Sequence, residues 1–142
     1  MSIKEKFCLR WEDFGENVSV SFRELRTDLD FADVTLACEN KQFELHKVVI
    51  SSGSNFFRNL LKKCKSSKPL IYMRGIKAKD LEAMVDFIYN GEVNIFEDDL
   101  NDFLILAQEM ELKGLETSHS EESKQFQNIP KKADQSIETK TN

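Results

Sequence analysis

The residues best suited to chemistry lie together in the middle of the chain, between His46 and Phe57. His46 is followed by Ser51, Ser52 and Ser54, and histidine and serine are the residue types from which many hydrolases build a nucleophile. A serine nucleophile also needs an orienting acid and an oxyanion hole, and the Gly-x-Ser-x-Gly turn that often presents it does not occur here. The serines instead predict a break between two short helices, with Ser54 as the N-cap of the second. We therefore predict no enzymatic activity.

Metal and cofactor binding are not predicted. The three cysteines, Cys8, Cys38 and Cys64, are spaced in a way that matches no zinc-binding pattern. Glycine-rich loops of the kind that bind nucleotide phosphates do not occur either. An odd and sparse set of cysteines is typical of a reducing compartment, where each remains a free thiol. The sequence thus predicts an intracellular protein that uses no cofactor.

The composition of the chain limits the number of domains and the kinds of partner that can be expected. A chain of 142 residues with 40% hydrophobic residues suits one folded domain plus a tail. The net charge of −5 disfavours a polyanion as partner, so we predict no direct binding of nucleic acid. The longest apolar runs are far shorter than a membrane span, and the charged first residues do not resemble a secretory signal. No membrane partner is predicted.

Two short segments alternate apolar and polar residues but have no strand neighbour close in sequence. The first, residues 7–11, is either an edge strand of the chain's own sheet or a strand that pairs with another chain. The second, residues 92–95, has the same unpaired edges. Around a two-fold axis, each segment could pair with the other segment of a second copy, which would form an isologous dimer. The apolar residues of the two segments are Phe7, Leu9, Trp11, Val93 and Ile95.

An aromatic helix is predicted directly after the first segment. Asp13 is its predicted N-cap, and Glu16, three residues later, completes a capping box. The apolar residues recur every three or four positions, which places them on one face of a helix of about four turns. That face is either core or, because it is so aromatic, a surface for a partner; in the two-fold dimer it would contact its symmetry copy. Its residues are Phe14, Val18, Phe22, Leu25 and Leu29.

The remainder of the predicted domain alternates short strands and helices. Residues 33–38 and 42–46 predict a β-hairpin. Gly91 is placed to end a helix in the left-handed conformation. The polar composition of residues 117–142 predicts a disordered tail. Further elements are predicted at residues 55–64 (helix), 70–73 (strand), 80–89 (helix) and from residue 97 onward (helix).

Five basic residues crowd the end of the helix predicted at 55–64 and the loop after it. They could contact nucleic acid or an acidic partner, but cations also stabilise the carboxyl end of a helix. Because no aromatic residue interleaves them beyond Arg58 and the overall charge is negative, we interpret them as a solvated helix end. They are Arg58, Lys62, Lys63, Lys65 and Lys68.

Several motifs in a fixed order resemble a known family. D-V-T-L at residues 33–36, H-K-V-V-I-S-S-G-S-x-F-F at 46–57 and F-I-Y-N-G-E at 87–92 resemble a BTB/POZ domain. F-C-L-R-W at 7–11 and L-K-G-L at 112–115 resemble the Tramtrack-type subgroup of that family. The resemblance covers about residues 6–116, which is nearly everything predicted to fold. Residues 1–5 are then an N-terminal extension.

The resemblance implies an α+β fold, with a small three-stranded sheet wrapped by a cluster of helices. It also implies a dimer formed through the first helix and an exchanged N-terminal strand. In the family, an aspartate and a basic residue line a charged pocket at the dimer interface, and they match Asp33 and Lys47 here. We therefore expect a partly buried pair between these two side chains. The expected dimer-interface residues are Phe7, Leu9, Trp11, Phe14, Val18, Phe22, Val93 and Ile95.

The resemblance also implies a function. Tramtrack-type members are mostly transcription or chromatin factors that carry DNA-binding elements beyond the BTB domain, and this chain has too few cysteines and histidines for a zinc finger. We expect a module for homo- and hetero-oligomerisation of a nuclear regulator, with a cytoplasmic location as the alternative. Its expected partners are itself, other BTB domains and co-regulator proteins. The alternative function is that of a substrate adaptor for a Cullin-3 ubiquitin ligase.

Overall fold

Residues 4–115 are those that the structure, a computed structural model, describes, and within them five α-helices and three β-strands follow one another. The predicted tail at residues 117–142 lies outside the described residues. The fold is α+β with a three-stranded sheet, as expected. The elements are α1 (Phe14–Leu25), a short 3-10 helix (Leu29–Phe31), β1 (Val34–Cys38), β2 (Lys41–Leu45), α2 (Lys47–Gly53), α3 (Asn55–Lys63), β3 (Leu70–Tyr72), α4 (Ala78–Asn90) and α5 (Glu97–Glu109).

The sheet has the order β2-β1-β3, so that β1 lies in its centre. The predicted hairpin is confirmed, since β1 and β2 pair antiparallel with Val34 opposite Leu45. At the turn, Glu39 adopts the left-handed conformation (φ of 50°), and its carboxylate accepts the backbone N–H of Ala78 at 2.6 Å. The turn is thereby tied to the start of α4. β3 pairs parallel with β1, and all five residues of β1 are buried.

The hydrophobic core lies between the sheet and helices α2 to α5. Helices α4 and α5 contribute apolar side chains at the three- and four-residue spacing that places them on one face, whereas α2 contributes the adjacent Val49 and Ile50. Fully burying such a side chain contributes about 1.5–3 kcal/mol, so these residues dominate the stability of the fold. Core side chains without exposed surface include Val34, Leu36, Leu45, Val49, Ile50, Phe57, Leu81, Met84 and Val85.

The serine-rich break predicted in the middle of the chain is confirmed at Ser54, between α2 and α3. The Ser54 hydroxyl accepts the N–H of Phe57 at 3.2 Å and donates to the carbonyl of Met110 at 2.6 Å. The N–H of Lys113 also donates to the carbonyl of Gly53 at 2.9 Å. The break therefore serves as the point at which the helix pair joins the end of α5.

The first helix differs from its prediction at both ends. It ends at Leu25 rather than Leu29, because the Asp28 carboxylate accepts the N–H of Asp30 at 3.1 Å and starts a separate 3-10 helix. Asp13 precedes the helix but is in the left-handed conformation (φ of 58°), and its side chain makes no capping bond. The predicted capping box is therefore wrong.

Candidate interaction surface

The N-terminal part of the chain exposes most of its apolar side chains. Residues 4–11 form no helix or strand within the single chain, and Phe7 and Leu9 are 80% and 92% exposed. Although α1 carries a stripe of apolar residues, none of its residues is buried. Exposed apolar surface of this extent marks an interaction site in a soluble protein. Residues 7–31 contain seven of the large apolar side chains that are exposed in residues 4–115: Phe7, Leu9, Trp11, Phe14, Val20, Leu29 and Phe31.

Trp11 and Phe14 form the aromatic centre of this surface. Their ring centroids lie 4.9 Å apart in an edge-to-face arrangement, which is a favoured geometry for aromatic pairs. Both rings are exposed, whereas Val18 and Phe22 further along α1 are partly covered. Phe22 packs against the edge of the hydrophobic core. The pair is thus free to contact another molecule while the helix behind it rests on the fold.

The second predicted segment, residues 92–95, forms no strand within the single chain. Ile95 is buried in the chain's own core, with 8% exposed, and Val93 is packed against that core. Ile95 therefore presents little side-chain surface to a partner, whereas Val93 is only partly buried. Phe96, the next residue, is exposed instead.

The carboxyl end of α1 is attached to α4. The Arg26 guanidinium lies over the ring of Tyr89, 5.8 Å from its centroid, and Arg26 Nη2 is 3.7 Å from Asp86 Oδ1. Burial raises the pKa of Asp86 from its ordinary value, against the opposing effect of the Arg26 charge. α1 is therefore anchored at one end, and its other end carries the exposed aromatic pair.

His46, the first residue considered for catalysis, belongs to a buried structural network. Its Nε2 lies 2.9 Å from the carbonyl oxygen of Asp28, which can only accept, so the proton is on Nε2. Its Nδ1 accepts from the Tyr89 hydroxyl at 2.8 Å, and that hydroxyl accepts the backbone N–H of His46 at 2.9 Å. Burial raises the pKa of the Tyr89 phenol to about 12. No serine hydroxyl takes part, so the network holds the hairpin against α4 and the segment after α1.

Asp33 and Lys47 come together, but not as the expected pair of side chains. Asp33 Oδ1 accepts the backbone N–H of Lys47 at 2.7 Å, which satisfies the first free amide of α2. The Lys47 ammonium points elsewhere, to the carbonyl oxygens of Ser66 and Ser67 at 3.3 and 3.0 Å. Because α2 begins at Lys47, its backbone rather than its side chain meets the carboxylate. The structure thus corrects the expected ion pair to a helix cap.

This correction changes the expected effect of substitutions at Asp33. Asp33→Ala is expected to lower the free energy of unfolding by about 1 kcal/mol, the typical loss of a capping acceptor, measured by urea denaturation. Asp33→Asn keeps an acceptor oxygen and is expected to cost less. Breaking a buried ion pair typically lowers the free energy of unfolding by about 3–5 kcal/mol. A loss of that size in Asp33→Asn would show that capping α2 is not the main role of Asp33.

Some residues of the site were missed by sequence reasoning. Phe31 and Phe96 are exposed apolar residues that belong to no repeating pattern, so periodicity does not reveal them. Tyr89 was placed on a helix, but its partner His46 is 43 residues away, and no local signal joins the two.

Metal binding and membrane crossing are two further possible roles for residues 4–115. In that range, no three His, Cys, Asp or Glu side chains are grouped so that they would hold a metal ion. None of the helices there combines the length and the apolar character that crossing a membrane requires.

The chain is similar in sequence to a known domain family and to several known proteins. The BTB/POZ domain family model matches residues 22–127. The chain is 42% identical over 112 residues to Protein abrupt of Drosophila melanogaster, and 39% identical over 123 residues to the Broad-complex core protein of the same species. These matches cover 79% and 87% of this chain but only 12% and 17% of the two relatives. Longitudinals lacking protein-like, also from Drosophila melanogaster, is 41% identical over 115 residues, which are 81% of this chain and 91% of that protein.

Solved structures agree on the fold. The BTB domain of zebrafish PATZ1 matches with a TM-score of 0.68 over 78% of this chain and 91% of that one. The BTB domain of human Gigaxonin matches with a TM-score of 0.66 over 80% of this chain and 93% of that one. Each is 18% identical to this chain, so these two likenesses concern the fold alone.

Proposed function

Because this chain belongs to the BTB/POZ domain family, whose domain is a protein–protein interaction module and not an enzyme, we propose that it mediates homotypic and heterotypic association of a nuclear transcription or chromatin regulator. The observation that carries this proposal is the exposed apolar surface of residues 7–31. An amphipathic helix without a single buried residue gains little from folding alone, since most helical stability comes from packing of the apolar face. In the proposed dimer, a second copy of the chain buries this apolar face.

The proposed dimer is isologous. The segment at residues 7–11 of one copy pairs through its backbone with the segment at residues 92–95 of the other, and the α1 helices meet near the two-fold axis. Within residues 4–115, neither segment belongs to the three-stranded sheet, and the exchange would give both a place in a sheet. The interface then buries Trp11, Phe14 and their neighbours, and it is more apolar than a transient one.

The subgroup supports a proposal about the location and the wider partners. The motif at residues 7–11 resembles the Tramtrack type, whose members are mostly transcription or chromatin factors. We propose a nuclear location, and association with other BTB domains and with co-regulator proteins. Abrupt and the Broad-complex core protein are much longer than this chain, so activities of those whole proteins are not assigned to it.

Deleting residues 1–12 tests the strand exchange. The full chain is expected to show at least twice its monomer mass of 16.5 kDa by light scattering, and the truncated chain is expected to lose mass towards the monomer. The reason is that the deletion removes both the pairing backbone and Phe7, Leu9 and Trp11. A chain that lacks residues 117–142 is the control and is expected to keep the full assembly. An N-terminal truncation that leaves the assembly intact would rule out strand exchange.

A further inference from the structure

Charged residues are segregated along the chain. Residues 45–79 contain nine Lys and Arg residues and no Asp or Glu, whereas residues 80–112 contain ten Asp and Glu residues and no Lys or Arg. Lys77 and Lys79, at the boundary, pair with Asp102 and Asp99. Within residues 4–115, no salt bridge involves the other cations of the basic part. That part therefore offers free positive charge although the whole chain is acidic.

The basic part includes an edge strand, β3. Among residues 4–115, β1 is the one strand beside it, through bonds from the N–H of Thr35 to the carbonyl of Pro69 (3.0 Å) and from the N–H of Met73 to the carbonyl of Ala37 (2.7 Å). Successive residues of a strand direct their backbone polar groups to opposite sides. Leu70 and Tyr72 therefore direct their N–H and C=O groups to the open side, where another strand could pair with them.

The side chains of this edge are suited to an acidic partner. Leu70 and Tyr72 are 59% and 58% exposed and lie on the same face, because they are two residues apart in a strand. Lys68 and Arg74, which are also exposed, flank them with the same two-residue spacing. The pattern is cation, apolar, apolar, cation. An extended peptide that carries acidic, apolar, apolar and acidic residues in that order, at every second position, would place all four side chains on one face and match this edge in both charge and spacing.

The opposite edge of the sheet does not share these properties. In β2, the apolar residues Phe43 and Leu45 are buried in the core, and the exposed residues Lys41 and Gln42 are polar. Lys41 also forms an ion pair with Glu82 at 3.6 Å. An exposed apolar strand surface with free cations is therefore a property of β3 and not of sheet edges in this fold in general.

A second copy is a poor occupant of this edge. If two β3 strands paired antiparallel about a two-fold axis, Lys68 of one copy would lie near Arg74 of the other, and like charges in opposed positions are destabilising. The acidic residues of α4 and α5 lie on helices, whose backbone groups are bonded internally and cannot pair with a strand. A nucleic acid has the right charge but lacks the regularly spaced amides that pair with an edge.

We propose that β3 is a docking edge for an extended acidic segment of a partner protein, which adds to the sheet as a fourth strand beside Leu70 and Tyr72. Its carboxylates contact Lys68 and Arg74. Its backbone pairs with the open side of β3. This surface contains none of the proposed dimer-interface residues, so the inference does not depend on the proposed dimer.

Fluorescence anisotropy of the full chain with a labelled peptide of about seven residues tests the proposal; its order is Glu-x-Val-x-Val-x-Glu with threonine at x, so that the glutamates and valines share one face. Binding is expected, and it should weaken as the salt concentration rises from about 50 to about 300 mM, because exposed charges are screened. The double variant K68E/R74E is expected to weaken binding by at least about tenfold. K113E makes a reversal of the same kind outside the basic part and is expected to leave binding about unchanged. Circular dichroism and melting of both variants show whether they are folded.

Three further probes separate strand addition from simple charge attraction. A peptide of the same sequence, N-methylated at alternate amides, keeps the charge but cannot pair, and it is expected to lose binding. Equal binding of this peptide, of a lysine–valine peptide, or of a single-stranded oligothymidine would overturn the proposal. So would an absence of binding at millimolar peptide. A mass of K68E/R74E below that of the unmodified chain would show that a second copy covers this edge instead.

Discussion

Replacing Trp11 with alanine is expected to raise the dissociation constant of the dimer by about 100-fold, measured by light scattering or sedimentation over a dilution series. Trp11 is 59% exposed in the single chain and packs edge-to-face on Phe14, so that a large aromatic surface is ready to be buried by a partner. Aromatic residues near the centre of an interface carry most of its binding energy. The loss should appear in association, because Trp11 adds nothing to the hydrophobic core of its own chain.

Ile105→Ala is the matched control for this substitution. Ile105 is a large apolar residue on α5 that is 48% exposed, but it is not part of the proposed interface. It is expected to leave the dissociation constant about unchanged. If the two variants weakened the dimer equally, the aromatic pair would not be the centre of the interface.

Tyr89→Phe is expected to lower the free energy of unfolding by about 2 kcal/mol at neutral pH, measured by urea denaturation. The substitution removes one hydroxyl that serves two buried partners, the backbone N–H and the Nδ1 of His46. Leaving a buried polar group without a partner costs about 1–3 kcal/mol. The exposed Tyr72 is the control, and Tyr72→Phe is expected to cost little because water replaces its contacts.

The same phenol gives the stability a pH dependence. The pKa of Tyr89 is raised to about 12 from 10.0, chiefly by burial, so the folded chain keeps this proton at a pH where the unfolded chain has lost it. The contribution is fully present below about pH 10 and is lost as the pH rises through about 12. The difference in stability between the unmodified chain and Tyr89→Phe should therefore shrink over that range. Because the other titrating groups are common to both chains, a difference that stays constant from pH 8 to pH 12 would contradict a buried phenol.

Much of the fold could be predicted because its signals are local. The alternation in β1 and β2 and the polar turn between them determine the hairpin. Ser54 and Gly91 fix two helix ends, since a serine hydroxyl caps one helix and a glycine in the left-handed conformation (φ of 84°) ends another. These residues act on neighbours within a few positions, so a single sequence reveals them.

The errors arise where a distant residue competes with a local signal. Asp13 has the right type and spacing for a cap, but its backbone turns left-handed and its carboxylate makes no bond to the helix. Asp33 was expected to contact the Lys47 side chain. Because α2 starts at Lys47, the backbone N–H of Lys47 donates to the Asp33 carboxylate, and the Lys47 ammonium donates to the carbonyl of Ser66 instead. Such outcomes depend on tertiary geometry, which residue types alone do not encode.

The candidate site was also predicted where its signals are local and not where they depend on tertiary packing. The apolar face of α1 and the aromatic residues before it were recognised from periodicity, and the structure leaves Trp11 and Phe14 exposed while it partly covers Phe22. Ile95 follows the same alternation, but its side chain belongs to the core. Alternation identifies two faces of a strand without saying which of them meets the chain's own core. The dimer itself stays a proposal, because it concerns contacts between two chains.

Hydrogen exchange at residues 7–11 tests the central claim most directly. These residues make no backbone–backbone hydrogen bonds with any of residues 4–115, so we expect their amides to exchange rapidly in a monomer. If they form a strand only with a second copy, their exchange should be slowed at least about tenfold at concentrations where light scattering shows the dimer, and the protection should disappear on dilution to the monomer. Rapid exchange at residues 7–11 in a chain whose measured mass is that of a dimer would contradict strand exchange.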